Sequence, residues 1–147
     1  MALGYLAIDG QRTNALHLPF RGSGDGGIST AAADVSALRE ALYAGRIVPR
    51  EWVATMMSPH SEVPAESARY GLGFWLHPTS DAVILEGCDA GVSFRTVHDQ
   101  ATGVTHMVLS NTTEGAWPVS QLLRVSCSNR EARDILIKPC RADAIVR

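Results

Sequence analysis

Lysine is nearly missing from this chain: among its thirteen basic residues only Lys138 is a lysine. Any chemistry that needs a lysine earlier in the sequence is closed to it. An excess of either charge is missing too. Thirteen basic residues against fifteen acidic ones leave a net charge of −2, with nothing to spare for a phosphate backbone or an anionic membrane surface. No apolar run approaches the ~18 residues of a membrane-spanning helix, so neither nucleic acid nor membrane is an expected partner. The N-terminus, Met1-Ala2-Leu3-Gly4-Tyr5, has no basic stretch followed by an apolar one. No secretory signal is visible, and a cytoplasmic location is expected. Cysteine is scarce: Cys88, Cys127 and Cys140 form no CxxC and no cluster with histidine at zinc-finger spacing. A reducing compartment is the simplest reading of three widely spaced cysteines, and a Cys127–Cys140 bridge stays open beside it. No cofactor is expected.

What is there is enough for a folded core. At 147 residues, 46% of them hydrophobic, one domain is the default, and such a domain buries roughly 70% of its unfolded surface. Leu3–Ile8 and Ala15–Phe20 read as an extended pair about the turn Asp9-Gly10. A glycine-rich loop comes next, from Arg21 to Gly27. Ser29 or Thr30 is placed to cap a helix whose Ala31, Val35, Leu38 and Leu42 share one face, with Gly45 at its end. Pro49 suits the first turn of a second, short helix carrying Trp52, Val53 and Met56 toward the core. The stretch Ser58–Ser67 reads as a loop. After it the period becomes extended: Tyr70–Leu76, with Gly71 and Gly73 marking close approach of another backbone, then Ala82–Glu86. Gly91–His98 and Val104–Ser110 form a hairpin about Asp99–Gly103. Ala116–Val125 reads as a closing helix. The order implies an α+β fold, an antiparallel sheet with flanking helices.

Motifs for chemistry mostly fail. None of His17, His60, His77, His98 or His106 belongs to a His-Glu-x-x-His helix. His98 and His106 flank one turn, so a metal pair and two ordinary strand histidines are both open. Gly22-Ser23-Gly24-Asp25-Gly26-Gly27 precedes a helix, yet no Gly-Lys-Ser/Thr comes after it and no parallel βαβ unit surrounds it, so a tight turn near a cleft is expected instead of a phosphate cradle. Gly91-Val92-Ser93-Phe94 begins a nucleophile elbow, and Arg95 spoils it. Asn111-Thr112-Thr113 meets the glycosylation sequon and reads as a polar cluster at a strand end.

The run Gly24-Asp25-Gly26-Gly27-Ile28-Ser29-Thr30-Ala31-Ala32-Ala33-Asp34 resembles a stretch of the β-lactamase-related serine hydrolases, which include class C β-lactamases, DD-peptidases and related esterases. Segments farther along the chain resemble that family in their order as well: Ala41-Leu42-Tyr43-Ala44-Gly45-Arg46, Pro49-Arg50-Glu51, Tyr70-Gly71-Leu72-Gly73-Phe74-Trp75, Leu85-Glu86-Gly87-Cys88-Asp89-Ala90-Gly91-Val92-Ser93-Phe94 and Val108-Leu109-Ser110-Asn111-Thr112-Thr113. The likeness covers about Leu3–Leu123, while the tail 124–147 looks atypical. It implies the C-terminal portion of such a hydrolase domain, a partial β-lactamase/transpeptidase-like fold.

In that family a Ser-x-x-Lys motif supplies the nucleophile and its lysine partner, a Tyr-x-Asn motif a second base, and a Lys/His-Ser/Thr-Gly triplet on a strand holds the substrate. Here the residue three before Lys138 is Ile135, and Tyr5, Tyr43 and Tyr70 are followed two places on by Ala7, Gly45 and Leu72. Both the nucleophile and the tyrosine motif are therefore absent. By position, Cys88, Asp89 and Ala90 stand for the strand triplet as the substrate-binding residues, and the Gly91 amide is the expected oxyanion donor. Cys88 replaces a cationic or imidazole group, and Asp89 adds negative charge beside it. Cys88 as a thiol nucleophile and Cys88 as a small buried thiol are both open. The resemblance implies a small amide, ester or β-lactam ligand, held near Asp25, Asp89 and Gly91, and a chain inactive alone. The alternative is a non-catalytic ligand-binding or protein-interaction module on the same sheet. Apolar faces left unburied would promote self-association.

Overall fold

A computed structural model describes residues 2–7, 9–10, 12–17, 22–24 and 26–127, with side chains through residue 123. The Asp25, Cys140 and tail expectations lie outside these residues. Helix α1 spans Ala32–Tyr43 and α2 spans Arg50–Met56. Six strands come next: β1 Ser61–Val63, β2 Ala68–Tyr70, β3 Trp75–Leu76, β4 Ala82–Asp89, β5 Val92–Asp99 and β6 Thr105–Ser110, before α3 at Ala116–Cys127. The strands form one antiparallel sheet in chain order, β1 to β6. The α+β expectation holds.

Local chemistry explains the helix ends. The Ala31 N–H, left without an intrahelical partner at the start of α1, donates to the Asp34 carboxylate at 3.1 Å. The cap is therefore Ala31, two residues past Ser29 and one past Thr30, the two expected caps. Gly45, at φ +74°, turns the chain out of the helix, and its N–H donates to the Leu42 carbonyl at 2.9 Å. The buried face of α1 is rotated from the expected one: Val35 and Arg39 are inside, and Leu38 is 51% exposed. Arg39 is accommodated because its guanidinium donates to the Tyr43 hydroxyl at 3.1 Å and lies 5.4 Å from that ring's centroid. On α2, Val53 is buried and Trp52 is 59% exposed, against the expectation that both reach the core.

The chain forms two compact units. One comprises Gly22–Leu85 with Val97–Thr105. Its apolar clusters use alternate residues of β4, as the two-residue period of a strand requires. Val83 and Leu85 meet Phe74 and Leu76, with Leu42, Met56 and Met57 packed against them. Ala82 and Ile84 meet Val97 and Trp75. Gly71 allows the close approach anticipated for it, since a Cβ there would overlap the Met56 carbonyl. The segment expected to be a loop instead yields β1, paired with β2 through Ser61–Tyr70, Glu62–Arg69 and Val63–Ala68.

The other unit contains the described parts of Met1–Arg21, Glu86–Thr96 and His106–Arg147. The N-terminal pair does form, in a shorter register than expected. Tyr5 bridges Thr13, and the Leu6 N–H donates to the Arg12 carbonyl at 2.9 Å. The return therefore lies at Arg12–Asn14, directly after the expected turn with Gly10 at φ +69°, and the described part of the expected return, residues 15–17, is itself a turn. No described helix is long and apolar enough to cross a membrane.

Candidate functional site

The four residues singled out from the sequence lie together where β4 turns into β5. Cys88 and Asp89 end β4, Ala90 and Gly91 make the two-residue turn, and Val92 opens β5. Gly91 sits at φ +77°, a conformation that costs an L-residue roughly 1–2 kcal/mol. A side chain has no room there either. A Cβ on Gly91 would stand 2.9 Å from Gly4 C, 2.9 Å from Tyr5 N and 3.0 Å from Asn14 Cβ. The reverse also holds, since a Cβ on Gly4 would overlap the Gly91 carbonyl. The N-terminal hairpin thus packs backbone against backbone on this turn.

Asn14, 3% exposed, is the clamp. Its Oδ1 accepts the Gly4 N–H at 3.0 Å, and its Nδ2 donates to the Ala90 carbonyl at 3.1 Å. The amides of the turn are engaged as well. The Ala90 N–H donates to Asp89 Oδ1 at 2.6 Å, and the Gly91 N–H donates to Thr113 Oγ1 at 2.9 Å. An oxyanion donor must aim at the place where negative charge develops. In this structure the expected donor aims at a threonine hydroxyl, which a substrate oxygen would have to displace.

Thr113 belongs to a polar knot that links the end of β6 to α3. Ser93 Oγ donates to the Thr112 carbonyl at 2.8 Å and accepts the Ala116 N–H at 3.0 Å, so one hydroxyl on β5 caps the first turn of α3. The Thr112 N–H donates to Ser110 Oγ at 3.1 Å. The reading of Asn111-Thr112-Thr113 as a strand-end polar cluster therefore has a concrete form. Farther along the same strands, Arg95 Nε and Glu86 Oε2 are 2.7 Å apart with their side chains 15% and 21% exposed. The Arg95 guanidinium lies 5.7 Å from the Trp117 ring centroid.

Cys88 is held in a disulfide, so in this state it is neither a thiolate nucleophile nor a free buried thiol. Any bridge involving Cys127 or Cys140 concerns side chains outside those described. In the glycine loop, the Ser23 N–H donates to the Gly26 carbonyl at 2.8 Å and Gly27 adopts φ +85°, the tight turn expected there.

Among the described residues no group of three or more histidine, cysteine, aspartate or glutamate side chains that could hold a metal ion occurs. Of the two histidines flanking the β5–β6 turn, His98 hydrogen-bonds Thr105 Oγ1 through its Nδ1 at 2.8 Å, and its ring lies 5.0 Å from that of Tyr43. Its pKa is pushed below the usual histidine value by burial and by the Arg39 charge, with Asp99 opposing.

Sequence reasoning missed Asn14, Thr113, Ser93 and the Glu86–Arg95–Trp117 cluster. The available signal was the pair Gly4 and Gly91, two glycines in otherwise extended runs, each marking a place where another backbone comes close.

No family model and no curated protein matches the sequence. Among solved structures, the chain is similar to a penicillin binding protein from Bacillus halodurans, with a TM-score of 0.75 and 26% identity over 85% of this chain. The chain spans 40% of the length of that one. What the described residues build is therefore part of a penicillin-binding-protein-like α+β fold.

Proposed function

We propose that this chain is the C-terminal portion of a β-lactamase-related serine hydrolase domain and that, alone, it does not turn over β-lactams, peptides or esters. The observation that carries the reading is the likeness to a penicillin binding protein, which takes in 85% of this chain and 40% of the other. Two chemical arguments support inactivity. With Lys138 as its one lysine and Ile135 three places before it, the chain has no serine–lysine pair to form an acyl-enzyme. The turn that would polarise a scissile carbonyl has its amides engaged by Asp89 and Thr113. The same engagement argues against the alternative of a small-ligand module centred on this turn, since a ligand would have to break hydrogen bonds already made.

The test is incubation of the chain with a chromogenic cephalosporin and with a p-nitrophenyl ester. Hydrolysis at the background rate is expected, and turnover abolished by a serine-reactive phosphonate would overturn the claim of inactivity. The assignment as a portion is checked separately in the DNA upstream of Met1. An in-frame Ser-x-x-Lys followed by Tyr-x-Asn is expected there, and its absence would refute that part.

A further inference from the structure

The segment that clamps the 88–91 turn is held by polar bonds far more than by apolar burial. Among its described residues from 2 to 17 only Gly4 and Asn14 are buried, with Tyr5 and Leu6 half-buried. Leu3 is 45% exposed and Leu16 98% exposed. Three bonds tie the segment to its surroundings. The Tyr5 N–H donates to the Asn111 carbonyl at 2.8 Å, Asn111 Nδ2 donates to the Leu3 carbonyl at 3.2 Å, and Asn14 Nδ2 donates to the Ala90 carbonyl at 3.1 Å. Others fold it on itself: the Leu6 N–H donates to the Arg12 carbonyl and the Asn14 N–H to the Gly4 carbonyl, each at 2.9 Å. The strand it packs on is rooted more deeply, with Ser93 and Thr96 of β5 at 3% and 1% exposure. Hydrogen bonds contribute little net free energy where water can replace them, and segments with few buried apolar contacts open locally before the rest of a fold.

We propose that residues 2–17 act as a strap over the 88–91 turn, lifting from it as one unit while the sheet stays folded, and that this motion controls access to the turn's backbone. With the strap down, the backbones of Gly4 and Gly91 meet so closely that neither position has room for a Cβ. Lifting removes Gly4, Tyr5 and Asn14 together and releases the Ala90 carbonyl. A two-stranded hairpin alone is marginal in water, so the strap's internal bonds are lost in the same event. The inference rests on the reading of this turn as the one that would polarise a scissile carbonyl. The opening itself is measured without any ligand, so its failure and the failure of that reading are separate results.

Native-state amide exchange of the unmodified chain in dilute urea tests it. The amides of Tyr5, Leu6, Asn14 and Gly91 are expected to share one opening, at least ~tenfold more frequent than that of Phe94 and Thr96 in β5 and less steeply dependent on urea. Exchange of these four amides in step with Phe94 and Thr96 overturns the proposal. Gly4→Ala supplies the perturbation, because its Cβ would overlap the Gly91 carbonyl and wedge the strap away. Tyr5, Leu6 and Asn14 are expected to lose their protection, while the circular dichroism spectrum and the protection of Phe94 and Thr96 persist. A Gly4→Ala chain that unfolds, that loses protection in β5 to the same extent, or that keeps its strap amides as protected as before overturns the proposal.

Discussion

The two halves of β4 are held by opposite kinds of chemistry. Ala82, Val83 and Ile84 are all buried, and their partners Phe74, Leu76, Val97 and Trp75 are carbon surfaces. Glu86, Cys88 and Asp89 continue the same strand with an ion pair to Arg95, a disulfide, and a turn whose carbonyl and amides go to Asn14, Asp89 and Thr113. Dispersion and desolvation are non-directional, so the first half tolerates small shifts in its neighbours. Hydrogen bonds in a crowded turn are directional, and each buried donor or acceptor that loses its partner carries a full desolvation cost. The lesson is that a strand can be anchored by bulk at one end and by directed partnering at the other.

The largest expected effect breaks the apolar half. Phe74→Ala removes a 7%-exposed ring from the cluster with Leu76 and Val83, and is expected to cost about 3–5 kcal/mol, the range for a buried Phe truncated to Ala. Urea denaturation with an unchanged slope and a lower midpoint is the readout. A loss below ~1 kcal/mol would mean that the cluster closes over the gap.

A smaller change probes the polar half. Asn14→Ala leaves the Gly4 N–H and the Ala90 carbonyl without the partners now 3.0 and 3.1 Å away. The expected cost is about 1–3 kcal/mol. It should come with faster amide exchange at Gly91, whose surroundings include the Asn14 Cβ. Asn14→Asp sharpens the comparison: it keeps an acceptor for Gly4 but sets a carboxylate against the Ala90 carbonyl. If Asn14→Asp is as stable as the unmodified chain at neutral pH, the clamp does not depend on the donor half of the amide.

Features written in neighbouring residues were legible from the sequence. The glycine that ends α1, the polar turn before β6 and the closing helix each arise from signals a few positions apart. The short strand β1 was not legible, because Ser61-Glu62-Val63 is too brief to show alternation and exists through its pairing with Ala68–Tyr70. The rotation of α1 was hidden for a related reason. Leu38 outranks Arg39 on any hydrophobic count, yet Arg39 goes inside because Tyr43, one turn along, takes its guanidinium. At the candidate site the residues 88–91 could be named, but the use of their polar groups could not. Ala90 is 76 positions from Asn14 and Gly91 is 22 from Thr113, and no local pattern announces such partners.

The smallest expected effect concerns His98 and separates the helix-packed turn from both halves of β4. The ring lies against Tyr43 and bonds Thr105, with the Arg39 charge nearby and Asp99 adjacent. Burial acts first and Arg39 second to lower its pKa, while Asp99 pulls the other way. The folded chain therefore takes this proton less readily than the unfolded chain, where the imidazole titrates near 6.5. His98 contributes no penalty above that pH, and stability drains away as pH falls through it toward the lower folded value. Asp99 works in a separate, more acidic window. The Thr102 hydroxyl and the Ala101 N–H hold its carboxyl below 3.8, so the stability it contributes is present above that value and lost as pH falls through the folded pKa. Replacing His98→Gln removes the titration and keeps a polar group near Thr105. Thermal denaturation from about pH 7 down to about pH 5 is expected to show the unmodified chain losing more stability than the variant. His17, His60, His77 and His106 are common to both proteins, so the difference between the two curves isolates His98. Parallel curves would mean that Arg39 and burial leave its proton affinity where an unfolded chain has it.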